Sequence, residues 1–124
     1  MDVLSEEKEF SQIGYYRAQW DTGAINTVIT QRVVDELGLM PIDYIDNYTA
    51  AGMVKSAVYR INVVLPNKVR VTAIKVACCD LADIDMLIGM DVITMCDFAI
   101  TNVGEKTTFS FQIPSATTID FEKQ

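Results

Sequence analysis

The sequence contains no histidine among its 124 residues. Histidine is the base of Ser-His-Asp and Cys-His nucleophilic sites and the commonest ligand of zinc and copper, so active sites of these kinds are excluded in their usual form. Acid–base chemistry must therefore depend mainly on carboxylates. Cys78, Cys79 and Cys96 are an odd set without metal-ligand spacing, so we expect reduced thiols in the core, no metal site and no cofactor.

Basic residues are scarce, with ten Lys and Arg against seventeen Asp and Glu and a net charge of -7. Clustered positive charge is what nucleic acid requires, so we expect no nucleic-acid partner. No apolar run approaches the about 18 residues of a membrane span, and the N-terminus is acidic and unlike a secretory signal. We therefore expect no membrane association and a cytoplasmic location.

The chain also lacks a Pro/Gly/Ser-rich linker or a low-complexity block, and its three prolines occur singly. Half of the residues are apolar and 22% are charged, which is typical of a folded domain. We predict one domain over residues 1–124, with a core over about 14–113 and terminal extensions at 1–11 and 115–124.

The first half of the chain alternates strand and turn signals. Gly14 to Trp20 is strand-like and leads into the turn signal Asp21-Thr22-Gly23-Ala24. Thr30 to Gly38 predicts a short amphipathic helix, because a Thr that can cap precedes apolar residues at helical spacing and a glycine ends it. Tyr44–Thr49 and Val54–Leu65 then predict a hairpin around Ala50-Ala51-Gly52.

The second half continues with a strand over Val69–Cys79 and an acidic segment with Asp80, Asp83 and Asp85, which lacks the spacing of a calcium loop and is interpreted as a solvated loop. Met86-Leu87-Ile88-Gly89 precedes a predicted short helix over Val92–Cys96, capped by Asp91. Thr107–Ile113 alternates strictly and predicts a late strand. The fold class is therefore mainly β with two short helices.

Several of these signals occur in a combination that belongs to a known family. Asp21-Thr22-Gly23-Ala24 ends a strand, Thr27-Val28-Ile29 follows it, a hairpin lies in the middle, and Leu87-Ile88-Gly89 precedes a short helix. Asp-Thr-Gly alone is also an ordinary turn, but this combination resembles the retropepsin family, the single-domain aspartic proteases of retroviruses and their cellular and bacterial relatives. The resemblance extends from about Gly14 to Ile113.

The resemblance implies an all-β, pepsin-like β-barrel with one lobe per chain, and an aspartic endopeptidase that is active as a twofold homodimer. The sequence agrees, because it has a single Asp-Thr-Gly and is far shorter than a monomeric pepsin-like enzyme, which needs two such loops. The expected partners are a second copy of the chain and a peptide or protein substrate.

The resemblance also implies a role for each matching residue. Asp21 is the expected catalytic residue, and Thr22 and Gly23 are expected to support its loop, Thr22 by a hydrogen bond across the dimer axis. The expected substrate-binding positions are Ala24, Ile25 and Asn26 beside Asp21, and Ala50, Ala51 and Gly52 in a flap. Leu87, Ile88 and Gly89 are expected to pack beneath the Asp21 loop as structural backing.

The chain departs from retroviral relatives at several positions. Ile25 and Met90 stand where those relatives often carry an acid and an Arg that form an ion pair, so we predict an apolar contact between the two side chains. Trp20 is bulky for its position, and the presumed flap has a single glycine, Gly52. These departures keep open an alternative, a catalytically inactive retropepsin-like module that dimerises or holds a peptide.

Overall fold

The computed structural model of this protein describes residues 2–5, for which it gives the backbone, and residues 13–123. Over these residues the chain forms ten strands, two α-helices and two 3-10 turns. The strands are β1 (Asp2–Ser5), β2 (Ile13–Tyr15), β3 (Ala18–Trp20), β4 (Val28–Ile29), β5 (Asp43–Thr49), β6 (Gly52–Val64), β7 (Arg70–Cys78), β8 (Met86–Ile88), β9 (Asp97–Thr101) and β10 (Thr108–Gln112). The helices are α1 (Gln31–Leu37) and α2 (Met90–Ile93), and the 3-10 turns are Val103–Glu105 and Phe121–Lys123.

Eight of these strands form one sheet in the order β2-β1-β6-β7-β4-β8-β3, with β5 paired to β6 as a protruding hairpin. The mainly β class with two short helices is confirmed. The expected closed barrel is wrong for the described residues, because β2 and β3 end the sheet and do not pair with each other. Part of the expected extension at 1–11 belongs to the sheet, since β1 pairs with β2 and β6, and its remaining positions lie outside the described residues.

The predicted strand over Gly14–Trp20 is divided at Tyr16 and Arg17. Tyr16 is buried, and its hydroxyl donates to Glu36 on α1 at 3.3 Å. The Arg17 N–H donates to the Asp85 carboxylate at 3.0 Å instead of to a neighbouring strand. These contacts attach the start of β3 to α1 and to the acidic segment, so that β3 continues straight into Asp21.

Three short strands place the two glycine-containing turns, at Gly23 and Gly89, side by side. Strand β3 runs parallel to β8, with Trp20 opposite Ile88. Strand β4 lies between β7 and β8, parallel to the first and antiparallel to the second. Because parallel strands end at the same edge of a sheet, Asp21 after β3 and Gly89 after β8 leave the sheet together.

Helix α1 matches its prediction with one difference at the first turn. Val33, Val34 and Leu37 are buried, and Gly38 ends the helix in the left-handed region with φ 61°. Thr30 occupies the N-cap position, but its hydroxyl donates to the Asp85 carbonyl at 3.2 Å and does not cap the helix. The helix is held by its apolar face more than by its cap.

Buried apolar side chains from both halves of the chain form one core beneath the site, and burial of each contributes about 1.5–3 kcal/mol. They are Tyr16, Ile29, Val33, Val34, Leu37, Leu39, Tyr59, Ile61, Val63, Leu65, Val71, Val76, Met86, Ile88 and Val92. Within the described residues, neither helix is long and apolar enough to cross a lipid bilayer.

Strands β9 and β10 form a separate hairpin that packs on Trp20. Cross-strand partners Phe98 and Phe111 present their rings to one face, and both rings contact the Trp20 ring, with centroids 5.0 and 5.3 Å away. Edge and tilted geometries of this kind are favourable between aromatic rings. This packing explains the bulky residue directly before Asp21. Strand β9 itself was not among the predicted elements.

Candidate active site

Asp21 stands at the first position after β3, where two backbone hydrogen bonds fix its main chain. Its N–H donates to the Ile88 carbonyl at 2.9 Å, and its own carbonyl accepts from the Ala24 N–H at 3.2 Å. The second bond closes the turn that Asp21-Thr22-Gly23-Ala24 predicts. The tip of β8 therefore sets where the Asp21 backbone lies.

The Asp21 carboxylate points out of this turn and is partly exposed. Its Oδ1 accepts from the Gly23 N–H at 2.8 Å. A Cβ at position 23 would lie 3.1 Å from that oxygen, so glycine leaves room for the close approach of amide and carboxylate. Thr22, between them, is exposed. The predicted supporting position of Gly23 fits this geometry, and the cross-axis bond of Thr22 stays a prediction.

Behind the loop, Thr27 is completely buried and bound by two partners. Its N–H lies 3.1 and 3.0 Å from the two Asp91 carboxylate oxygens, and its hydroxyl donates to Asp91 Oδ1 at 2.7 Å. The Gly89 N–H donates to the Thr27 hydroxyl at 3.1 Å. We call these three residues, Thr27, Gly89 and Asp91, the backing network. It satisfies polar groups that would otherwise be costly to bury.

The start of α2 holds the loop from the same side. The N–H of Met90 donates to the Ala24 carbonyl at 2.8 Å, and that of Asp91 donates to the Ile25 carbonyl at 3.1 Å. The first N–H groups of a helix have no partner inside the helix, so the loop carbonyls satisfy them. Of the predicted backing residues, Ile88 and Gly89 are buried and Leu87 is partly buried. Ile88 and Gly89 contact the Asp21 loop and Thr27 through their backbones, and the backing role of Leu87 stays a prediction.

The predicted second helix is present, but its predicted bounds and its cap are wrong. Helix α2 begins at Met90 and ends at Ile93, Gly89 is its N-cap residue, and Asp91 lies inside the first turn. The Asp91 carboxylate accepts from the Val92 N–H, but its other donor is the distant Thr27. Sequence reasoning missed this pairing because 64 residues separate the partners.

A groove of about 600 Å³ lies between the Asp21 loop and the stem of the β5–β6 hairpin. Gly23, Ile25, Asn26 and Val28 line it from the loop and β4. Asp43, Ile45, Asn47 and Val58 line it from the hairpin, and Lys75, Val76, Ala77 and Cys79 from β7 and its end. An extended peptide could enter such a groove by pairing along a strand.

The groove contains two of the six predicted substrate-binding residues. Ile25 is 79% exposed and Asn26 is exposed, and both line it. Ala24, Ala50, Ala51 and Gly52 do not line it in the single described chain. The last three lie at the tip of the hairpin, where Gly52 has φ 113°, a conformation that glycine adopts most easily. The flap function and the Ile25–Met90 side-chain contact stay predictions.

Sequence reasoning missed the polar groups along the other walls of the groove, above all Lys75, Asp43 and Asn47. The period of two along each strand was the available signal. Asp43, Ile45 and Asn47 share one face of β5, and Lys75 and Ala77 share one face of β7. Which face of each strand is turned toward the Asp21 loop depends on how the strands pair, and strand pairing cannot be derived from local sequence.

The acidic segment is structural at Asp85, contrary to the prediction of a wholly solvated loop. Besides the Arg17 N–H, the Asp85 carboxylate accepts from Arg32 Nη1 at 2.8 Å. Among the described residues no three His, Cys, Asp or Glu side chains are grouped to hold a metal ion.

The cysteines form no disulfide in the described part of the chain, and Cys96 is buried while Cys78 and Cys79 are partly buried. Burial, with smaller contributions from neighbouring acidic groups, raises the pKa of all three thiols, so they are held in the neutral form.

Comparison with known proteins agrees with this geometry. A family model described as "gag-polyprotein putative aspartyl protease" matches residues 14–95, which contain the Asp21 loop, the hairpin, the groove and the backing network. Neither the curated proteins nor the solved structures contain a match to the chain.

Proposed function

Because the chain belongs to the gag-polyprotein aspartyl protease family, we propose that it is an endopeptidase whose site is completed by a second copy. In this proposal each subunit of a homodimer contributes one Asp21, and the two carboxyls meet on the twofold axis. The family alone supports the general role of an aspartic protease; the homodimer and the retropepsin-like reaction are the proposed part.

The observation that carries the proposal is the position of a single, partly exposed carboxylate beside a groove. Asp21 leaves the sheet at the loop whose residues Gly23, Ile25 and Asn26 line that groove. Within the described residues no second carboxyl is hydrogen-bonded to it, and the carboxylate of Asp91, the acid of the backing network, is bound by Thr27. One chain thus supplies half of a carboxyl pair.

Two such carboxyls close together would share one proton, since both cannot ionise cheaply at short distance. The ionised member accepts a proton from a bound water, whose oxygen attacks the peptide carbonyl carbon. The protonated member donates its proton to the carbonyl oxygen, which would otherwise become an oxyanion. Collapse of the tetrahedral intermediate breaks the C–N bond, and the amine leaves with a proton returned from the pair.

The test is cleavage of a peptide library by the purified chain across pH, with Asp21→Asn and the matched control Asp83→Asn, an exposed aspartate outside the site. We expect cleavage at mildly acid pH, inhibition by pepstatin, a dimer mass in solution, and loss of cleavage in Asp21→Asn alone. The rate should fall as the pH rises, because full ionisation of the pair removes the general acid.

Cleavage that persists in Asp21→Asn would contradict the proposed chemistry. A chain that remains monomeric yet cleaves peptides would contradict the shared site. A dimer that binds peptides but never cleaves them would instead support the non-catalytic module, the alternative that the sequence leaves open.

A further inference from the structure

The groove beside the Asp21 loop carries a cation that has no anionic partner among the described residues. Lys75 is exposed on β7 and lines the groove, and it forms no ion pair with any carboxylate of the described residues. Arg32, Lys55 and Lys123, in contrast, are each paired with an aspartate or glutamate on the surface. The Lys75 ammonium group is therefore available to an incoming ligand.

Strand pairing places Lys75 at the end of the groove nearest the Asp21 loop. Strands β4 and β7 run parallel with Val28 opposite Ala77. Asn26 and Lys75 each precede that pair by two residues, so both lie at the end of the two strands that is nearer to Asp21. Cys79, two residues after Ala77, lies toward the opposite end. A substrate residue close to the cleaved bond would thus pass Lys75.

The floor next to Lys75 is apolar. Asp43, Val58, Ala77 and Val28 form one row across β5, β6, β7 and β4, and the three apolar members of this row line the groove. An apolar floor with a charge at its margin suits a side chain that has methylene groups and a charged end. Glutamate is such a side chain, and its charge is opposite to that of lysine. Aspartate has the same charge on a shorter side chain.

The other charge on the groove is Asp43, and its position differs from that of Lys75. Its carboxylate already accepts from the Tyr44 N–H at 2.8 Å. Asp43 lies in the row that contains Ala77, which is two residues beyond Lys75 on β7. The remaining polar lining, Asn26 and Asn47, is neutral. The chain as a whole carries a net charge of -7, and Lys75 is the one cation that the described lining of the groove offers to an acidic peptide.

We propose that Lys75 selects a peptide substrate with an acidic side chain at the position seated against the start of this groove. The inference rests on the proposed function, because it describes how the same site chooses its peptide. Lys75 is a specificity-determining residue in this account and takes no part in the bond-breaking step.

The experiment uses peptides that differ only by Glu, Gln or Lys at one position, scanned along the sequence of a cleaved peptide. For the unmodified chain we expect one position at which Glu exceeds Lys in kcat/KM by about tenfold, as one partly exposed charge pair and its reversal would give. Lys75→Met should remove this preference, and Lys75→Glu should reverse it. Arg70→Glu, on the same strand but outside the groove, should leave it unchanged.

A second measurement does not need turnover. Fluorescence anisotropy of the same labelled peptides on Asp21→Asn, with and without Lys75→Glu, should show the same reversal in Kd. Cleavage or binding whose Glu/Lys ratio is equal in Lys75→Glu and Arg70→Glu would overturn the role of Lys75 and leave the protease proposal standing. If nothing is cleaved but binding still reverses, the protease proposal fails and the selectivity of the groove holds. Failure of every peptide to bind would overturn the selectivity itself.

Discussion

Asp21 and Asp91 lie on opposite sides of the same loop, and their carboxylates have very different surroundings. Asp21 is partly exposed, and within the described residues its one donor is the Gly23 N–H of its own turn. Asp91 accepts from the N–H and the hydroxyl of Thr27 and from the Val92 N–H. An ionised carboxylate can accept about four hydrogen bonds. Asp21 thus retains acceptor capacity for a water or a second carboxyl, whereas most of that of Asp91 is used.

The two carboxylates therefore differ in how many of their acceptor positions remain open to another molecule. At the front of the loop, Asp21 to Gly23, polar groups are open to solvent. In the backing network, the polar groups are hydrogen-bonded to one another. Changes at the front should therefore alter chemistry or assembly with little change in the free energy of unfolding, and changes at the back should lower that free energy.

Gly89→Ala should lower the free energy of unfolding by about 3 kcal/mol, as overpacking of a tight site does. A Cβ there would lie 2.7 Å from the Asn26 carbonyl carbon and 2.8 Å from the Ala24 carbonyl oxygen, and both are backbone atoms of the Asp21 loop. The backbone of Gly89 is extended at φ -93°, so the cost is steric and not torsional. Urea unfolding followed by the fluorescence of Trp20, the single tryptophan, measures it.

The matched control is Gly104→Ala, where a Cβ would meet no atom within 4 Å but φ is +64°. Gly104→Ala should lower the free energy of unfolding by about 1 kcal/mol, because alanine is strained in the left-handed conformation. If both variants, measured at one protein concentration, lost the same free energy of unfolding, the close packing of Gly89 against the Asp21 loop would be contradicted.

The threonine pair Thr27 and Thr22 compares back with front directly. Thr27→Val keeps the side-chain shape but removes the hydroxyl that donates to Asp91 and accepts from Gly89, so the buried Gly89 N–H and the partly buried Asp91 carboxylate each lose a partner. We expect a loss of about 2 kcal/mol in the free energy of unfolding. Thr22→Val, at an exposed position, should change it by less than about 0.5 kcal/mol.

Thr22→Val has a separate expected effect on assembly. If Thr22 bonds across a dimer axis, its loss should reduce activity in dilute solution, and a higher protein concentration should restore it. Analytical ultracentrifugation together with the rate at several concentrations measures this. A large loss of stability in Thr22→Val, or none in Thr27→Val, would break the division between front and back.

Local signals were enough for the elements whose pattern is long or strongly punctuated. Helix α1, with its apolar spacing and Gly38, and the hairpin around Ala50-Ala51 follow from the sequence alone. Strand β9 does not, because Phe98-Ala99-Ile100 is a short apolar run without a clear period. The open sheet could not be predicted either, since closure depends on which distant strands pair.

The same limit applies to the site. Asp21 and Gly89 can be located from their motifs, because the turn and the short helix after them are local. The pairing of Thr27 with Asp91 and the place of Lys75 on the groove depend on β4 meeting β7 and β8, segments far away in the chain. Local chemistry therefore located the candidate carboxylate Asp21, while the contacts of Thr27 and the position of Lys75 could be seen only in the fold.

A third carboxylate, Asp97, extends the comparison to a segment outside the site. It accepts from the Ser115 hydroxyl, from the Ala116 N–H at 2.7 Å, from the Thr117 N–H and from Gln112 Nε2, each at 2.9 Å. These bonds, with Ser115 and Ala116 contributing most, hold the pKa of Asp97 well below its ordinary value of 3.8. Like Asp91, this acid is structural, and it ties the chain after β10 back to β9.

Because its folded pKa is lowered, the Asp97 carboxylate stabilises the attached segment above pH 3.8, and this contribution is lost as the pH falls below that value. The effect should be local and the smallest of this series, since the group is on the surface. An NMR titration of the Ala116 and Thr117 amide signals should show a transition centred below 3.8, and Asp97→Asn should abolish it while leaving the backing network unchanged. A midpoint at or above 3.8 would show that the four donors do not favour the ionised form, and that counting donors around a carboxylate does not separate structural acids from reactive ones in this protein.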